Sequence, residues 1–154
     1  MNNLNLVWNS EFETGIEIID EQHQRLFSYL AEIDRSIKDQ DPENVELVVH
    51  ALVNYALSHN SFEESLMEKA NYPMFEAHKR IHESFKQRAN EYLNRLEQGT
   101  DPLKVAEQVR IYIGLWLISH VKQEDQDYVP YVKKIMHSGN RFTALVSRIF
   151  GKAA

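Results

Sequence analysis

Five histidines and two carboxylates fall where chemistry is possible. His59 and Glu63 are four residues apart, as are His78 and His82. On a helix each pair would share one face, one turn apart. His23 interrupts an apolar stripe, and His120 is followed five residues later by Asp125. Five residues of regular helix would splay two side chains by about 140°. His120 and Asp125 therefore converge only if the chain unwinds or bends between them, and Pro130, four residues beyond Gln126, weakens the backbone ladder there.

Left unpaired in an apolar interior, each of these groups would cost on the order of 1–3 kcal/mol even by lenient accounting. Coordination of a metal offsets that cost for the whole set at once. The chain has no cysteine, which excludes thiolate sites, iron–sulfur clusters, disulfides and a Cys nucleophile. Imidazole with carboxylate suits iron, manganese or zinc. Seven donors exceed the needs of one tetrahedral zinc, whereas two ions sharing bridging carboxylates would use them all. A histidine-rich set carries less negative charge than a glutamate-rich one. That disfavours high oxidation states and suits reversible O2 binding better than oxidative attack on a substrate.

Four helices are required to bring these residues together. The first is expected over about residues 20–38, with Ile19, His23, Leu26, Phe27, Leu30, Ile33 and Ile37 at three-and-four spacing. Asp41 and Pro42 supply a cap and a first-turn proline for the second, which runs to about Ala70 and carries Val45, Val48, Leu52, Tyr55, His59, Phe62, Glu63, Leu66 and Met67 on one broad face. Pro73 ends it. The third, about residues 74–98, aligns His78, His82, Phe85, Ala89, Leu93 and Leu96 and closes at Gly99. Asp101-Pro102 repeats the cap-then-proline start, and the fourth carries Val105, Val109, Ile113, Trp116, Leu117 and His120. Short connections make neighbours antiparallel, so the expected fold is all-α: an up-down-up-down four-helix bundle over residues 20–137. Residues 1–19, with Trp8 and Phe12, read as an arm packed along it.

The chain is 154 residues long, enough for one domain with a real core, and only 5 Gly and 4 Pro argue against a turn-dense sandwich. No leader peptide or membrane-length apolar run is visible, which gives the expectation of a cytoplasmic protein. The net charge of −6 hides a split, because no acidic residue follows Asp127 while Lys133, Lys134, Arg141, Arg148 and Lys152 do. The acidic body would repel nucleic acid. Residues 138–154 read as a short basic amphipathic helix, with Phe142, Leu145, Val146, Ile149 and Phe150 recurring at three and four. It could fold back on the acidic bundle, enter the groove of a partner protein or touch an anionic membrane. It is too short and too weakly charged for stable membrane anchoring alone.

The sequence resembles the hemerythrin family, in particular its single-domain bacterial members. The resemblance is carried by Trp8, Gly15-Ile16, the run Ile19-Asp20-Glu21-Gln22-His23, His59 through Met67, Tyr72-Pro73, His78-Lys79-Arg80-Ile81-His82, and Trp116 through His120 to Asp125. It implies a di-iron centre (Fe2+/Fe3+) in which His78, His82 and His120 hold one iron and His23 and His59 the other. Glu63 and Asp125 would bridge, together with an oxygen supplied by solvent. The iron with two imidazoles would keep an open position for O2, beside an apolar pocket matched here by Trp116 and Leu117. The family usually has an aromatic residue directly after the second-helix histidine, but this chain has Asn60. A carboxamide there admits water and offers hydrogen bonds, unless it turns aside and Phe62 fills the space.

Glu64 points about 100° away from Glu63 and is expected at the surface or behind a ligand, while His50 and His137 fall outside the set. The function implied is reversible, non-enzymatic O2 binding for storage, delivery or sensing. Two alternatives stay open: a di-iron enzyme acting on peroxide, nitric oxide or ferrous iron, and an O2-responsive interaction module whose tail contacts a partner.

Overall fold

A computed structural model of the chain describes residues 7–136. Four long helices, α1 (Glu17–Lys38), α2 (Pro42–Lys69), α3 (Phe75–Glu97) and α4 (Pro102–Lys122), are followed by two short ones, α5 (Glu124–Asp127) and α6 (Val129–Met136). Among the described residues there is no strand, and no helix is long and apolar enough to cross a membrane. The basic segment expected at 138–154 lies outside the described residues, as does His137.

Local chemistry sets the boundaries. The Asp41 carboxylate accepts from the backbone N–H of Asn44 at 3.1 Å, and Asp101 accepts from that of Leu103 at 3.0 Å, each directly before a proline that needs no helical partner. Gly99 ends α3 at φ +88°, a backbone conformation that side chains disfavour. Helix α1 starts at Glu17, three residues earlier than expected, because Asp20 ties down the chain before it. One carboxylate oxygen of Asp20 accepts from Thr14 N–H at 2.8 Å and Thr14 Oγ1 at 2.7 Å, and the other from Gly15 N–H at 3.2 Å.

The described residues upstream of α1 lie on the bundle. Phe12 is buried and meets Phe27 edge-on at 4.8 Å, while Trp8 lies 5.6 Å from Phe12 and 5.4 Å from Phe27 between ring centres.

The fourth helix breaks at Gln123, whose φ of −109° and ψ of −77° leave the helical path. Gln126 compensates, donating from its side chain to the Val121 carbonyl and to the Glu13 carbonyl of the arm, both at 3.3 Å. Pro130 has no N–H to give to Gln126 and sits in the first turn of α6, where none is needed. The break precedes the proline by seven residues and re-aims the next side chains.

Two apolar clusters fill the interior. The larger gathers Leu26, Leu30, Ile33, Val45, Leu52, Phe85, Val109 and their neighbours, and the smaller gathers Ile16, Ile19, Phe62, Leu66, Met67, Tyr128 and Val132. Along α1 and α2 the chain passes from one cluster to the other through His23 and His59, so the polar residues lie between two dry layers.

Candidate metal centre

All seven residues singled out by spacing are buried: Glu63 and Asp125 are 0% exposed and no histidine of the set exceeds 4%. Their donor atoms form two groups. Glu63, His78, His82, His120 and Asp125 make one; His23, His59, Glu63 and Asp125 make the other, with donor atoms inside each group lying within 4.8 Å of one another. Both carboxylates belong to both groups.

The two carboxylates divide their oxygens between the groups. Glu63 Oε1 lies 2.7 Å from His59 Nε2 and 3.2 Å from His23 Nε2, while Oε2 faces His82 Nε2 at 3.5 Å and His78 Nε2 at 3.8 Å. Asp125 repeats the pattern from the opposite side. Its Oδ2 lies 3.1 Å from His23 Nε2, and its Oδ1 lies 3.0 Å from His120 Nε2 and 3.3 Å from His78 Nε2. The turn at Gln123 produces this arrangement by rotating Asp125 back towards His120.

Hydrogen bonding alone does not satisfy the cluster. His78 Nε2 and His120 Nε2 each lie 3.1 Å from His82 Nε2. The other nitrogen of His82 faces Glu64 Oε2 at 3.2 Å and is the natural site for its proton, so the His82 Nε2 lone pair points at two further nitrogens. His59 has the same problem. Its Nδ1 lies 2.6 Å from Gln22 Oε1, which places the proton there and aims the Nε2 lone pair at the Glu63 carboxylate. Glu63 Oε2 and both Asp125 oxygens accept no hydrogen bond despite being fully buried. Lone pairs facing lone pairs call for a cation between them. Two imidazole nitrogens held at right angles, each about 2.1 Å from one ion, would be about 3.0 Å apart, close to the separations found around His82. The residues fit a pair of metal ions.

The electrostatics agree. Burial works against charging His23 and His78, yet Asp125 and Glu63 raise each of them to about 9. Burial alone would raise the Glu63 carboxyl, but His59, His23 and His78 hold it well below its usual range. Asp125 is likewise held low: His120 and His23 outweigh burial and the charge of Glu63. Burial keeps His59 neutral-leaning. The cluster attracts positive charge, and metal ions supply it without protons.

Two residues around the cluster, Gln22 and Tyr128, were not legible as partners. Gln22, 3% exposed on α1, orients His59. Tyr128 donates to Glu63 Oε1 at 3.1 Å, and burial, with the charges of Glu63 and Asp125, pushes its phenol well up, so it stays a neutral donor. Glu64 stays out of both groups and stands behind His82. Among residues expected at an O2 pocket, Leu117 is buried in the core, and Asn60 is buried with its Nδ2 unpartnered. Trp116 is part-exposed. Its ring stacks on His120 at 4.2 Å and lies 6.4 Å from His82, so it packs against the three-histidine group. One position on a helix is a rotation of about 100°, which separates it from Leu117. His50 is part-exposed and belongs to neither group.

A buried pair of cation sites inside an antiparallel helical bundle defines a class of metal-binding proteins. Residues 14–132 match the family described as the Hemerythrin HHE cation binding domain, and the chain belongs to the hemerythrin family. It is 35% identical over 153 residues to the bacteriohemerythrin of Stenotrophomonas maltophilia, covering 95% of this chain and 98% of that protein. The bacteriohemerythrin of Pseudomonas aeruginosa is 37% identical over 131 residues, 85% of this chain and 84% of the relative. In fold it is similar to the crystal structure of a hemerythrin point mutant, with a TM-score of 0.72 over 82% of this chain and 95% of that one at 23% identity.

Proposed function

We propose that this protein binds O2 reversibly at two iron ions and serves as a carrier, store or sensor rather than a catalyst. His78, His82 and His120 would hold one iron and His23 and His59 the other, with Glu63 and Asp125 bridging. The observation that carries this reading is the division of each carboxylate, one oxygen towards each group of imidazoles. Membership of the hemerythrin family supports it. The two irons would supply one electron each to O2 and recover both when it leaves.

The protein's own residues then do three things. Gln22 and Glu64 fix which nitrogens of His59 and His82 are free to coordinate. Tyr128 donates to Glu63 and holds its carboxylate in place. The two apolar layers exclude water, which protects against irreversible oxidation. The second group offers one imidazole fewer, so a metal held there would keep a coordination position for a small ligand.

The test is to reduce the iron-loaded protein, admit air and then sweep with argon. An absorption band that appears and disappears over repeated cycles supports O2 binding. Permanent oxidation in the first cycle, or steady consumption of peroxide or nitric oxide, would point to the enzymatic alternative.

A further inference from the structure

We infer that the groove between α3 and α4 is the port through which the oxidised metal centre is re-reduced, with Trp116 carrying the electron and a planar, phosphate-bearing donor of the reduced-flavin class as the occupant. This rests on the di-iron reading above.

The groove encloses about 660 Å³, within the roughly 300–1,000 Å³ of small-molecule sites. It reaches from Arg95 and Gln108 at one end to His120 and Glu124 at the other. Trp116 lies in its wall, part-exposed, while its ring stacks nearly parallel on His120, 4.2 Å between centres with 20° between planes. Phe85 packs on the same indole at 4.3 Å. A single side chain thus touches both the groove and an imidazole of the three-histidine group. His120 also lines the groove but is only 3% exposed, so the part-exposed Trp116 ring stacked on it offers a donor the wider contact, and electron transfer weakens exponentially with distance from there.

The walls also select the occupant. Ile111 and Leu115 are 49% and 52% exposed there, an apolar bed open to water beside Tyr112. Flat apolar and aromatic walls favour a planar ring. The Arg88 guanidinium lies over the Tyr112 ring at 4.9 Å but is already paired with Glu91 at 3.7 Å. Arg95 is bonded only to the neutral amide of Gln108 and keeps its charge for an anion. Eight residues of α4 separate Gln108 from Trp116, about 12 Å along the helix, a span matched by a flavin ring and the phosphate on its ribityl chain. Glu124, at the Trp116 end, disfavours placing the phosphate there.

The chemistry balances without a further reagent. The fully reduced neutral flavin gives up two electrons and releases two protons to water as it becomes oxidised flavin. One electron converts each ferric ion to ferrous, which restores the form able to take O2.

The experiment uses the full-length, iron-loaded protein. Oxidised flavin mononucleotide is titrated in and its own fluorescence followed, which reads binding without any reaction at the metal. Reduced flavin mononucleotide is then mixed anaerobically with the oxidised protein, and loss of the ferric absorption gives the rate. Saturable quenching and a saturating rate are expected. Arg95→Glu should weaken flavin mononucleotide binding about tenfold, the scale of one lost charge-assisted contact, while leaving riboflavin binding and O2 binding unchanged. Leu115→Glu should weaken both flavins. Trp116→Leu should slow reduction at saturating donor, and Trp116→Phe, which keeps a ring on His120, should restore most of the rate if the leucine variant packs poorly.

Rates identical to the parent in Arg95→Glu and Leu115→Glu would overturn the port. An unchanged saturated rate in Trp116→Leu would overturn the role of the indole. Protein without iron would fail in the metal analysis instead, while flavin quenching would still report on the groove.

Discussion

Gln22 on α1 and His59 on α2 meet across the helix interface, the carboxamide oxygen 2.6 Å from the imidazole Nδ1. The contact settles the tautomer of His59 and turns its Nε2 inward. Replacing Gln22 with Leu should lower iron affinity by about 10–100-fold, the usual cost of losing such a partner, with the loss concentrated in one of two irons. Gln22→Glu, which also accepts from Nδ1, should retain both. Competition with a chelator, followed by iron analysis, measures the difference.

Asn60 is buried with its Nδ2 unpartnered, one residue after His59. If this amide reaches the open iron position, it would let water and protons approach bound O2 and promote its loss with both irons left oxidised. Asn60→Phe should slow this autoxidation roughly tenfold, a barrier change of about 1.4 kcal/mol, without changing iron content. Decay of the oxygenated band in air compares the two proteins, and equal decay rates would remove Asn60 from the pocket.

Iron removal should destabilise the fold. The emptied cluster leaves Glu63 Oε2, both Asp125 oxygens and His23 Nδ1 buried without hydrogen bonds. Breaking a buried charged network costs about 3–5 kcal/mol, or roughly 10 °C in melting temperature for a chain of this size. Thermal melts of the same preparation with and without iron provide the comparison.

Away from the metal, Asp34 on α1 takes Arg110 of α4 at 2.6 Å and Lys38 at 2.8 Å. Lys38 and Arg110 together outweigh partial burial and hold its carboxyl below the usual range. Because the folded value is depressed, its stabilisation is present above the unfolded value of about 3.9 and is lost as pH falls through the folded one. Asp34→Asn should cost about 1 kcal/mol or less at neutral pH. The gap in melting temperature between metal-free parent and variant should close on acidification.

Much of this was readable in advance, for physical reasons. The four-residue spacings of His59–Glu63 and His78–His82 force shared faces on any regular helix, and Pro42 and Pro102 mark helix starts through a missing N–H. The need for His120 and Asp125 to converge was also legible. The location of the turn was not, since Gln123 carries no glycine or proline signal and depends on Gln126 to satisfy the freed carbonyl. Tyr128 was hidden for the same reason, because its direction follows from that turn. Trp116 was placed with Leu117 at the O2 pocket by the family resemblance, which carries no information on what its ring packs against. Its stacking on His120 is a property of how α4 is rotated against α3.

The most direct measurement counts both metal and gas. The fully reduced protein is analysed for iron, then titrated with O2 and returned to vacuum. The account predicts two irons per chain, one O2 taken up for each pair, and full recovery of the gas over successive cycles. One zinc per chain in protein grown with ample iron, or O2 consumed without return, would contradict it.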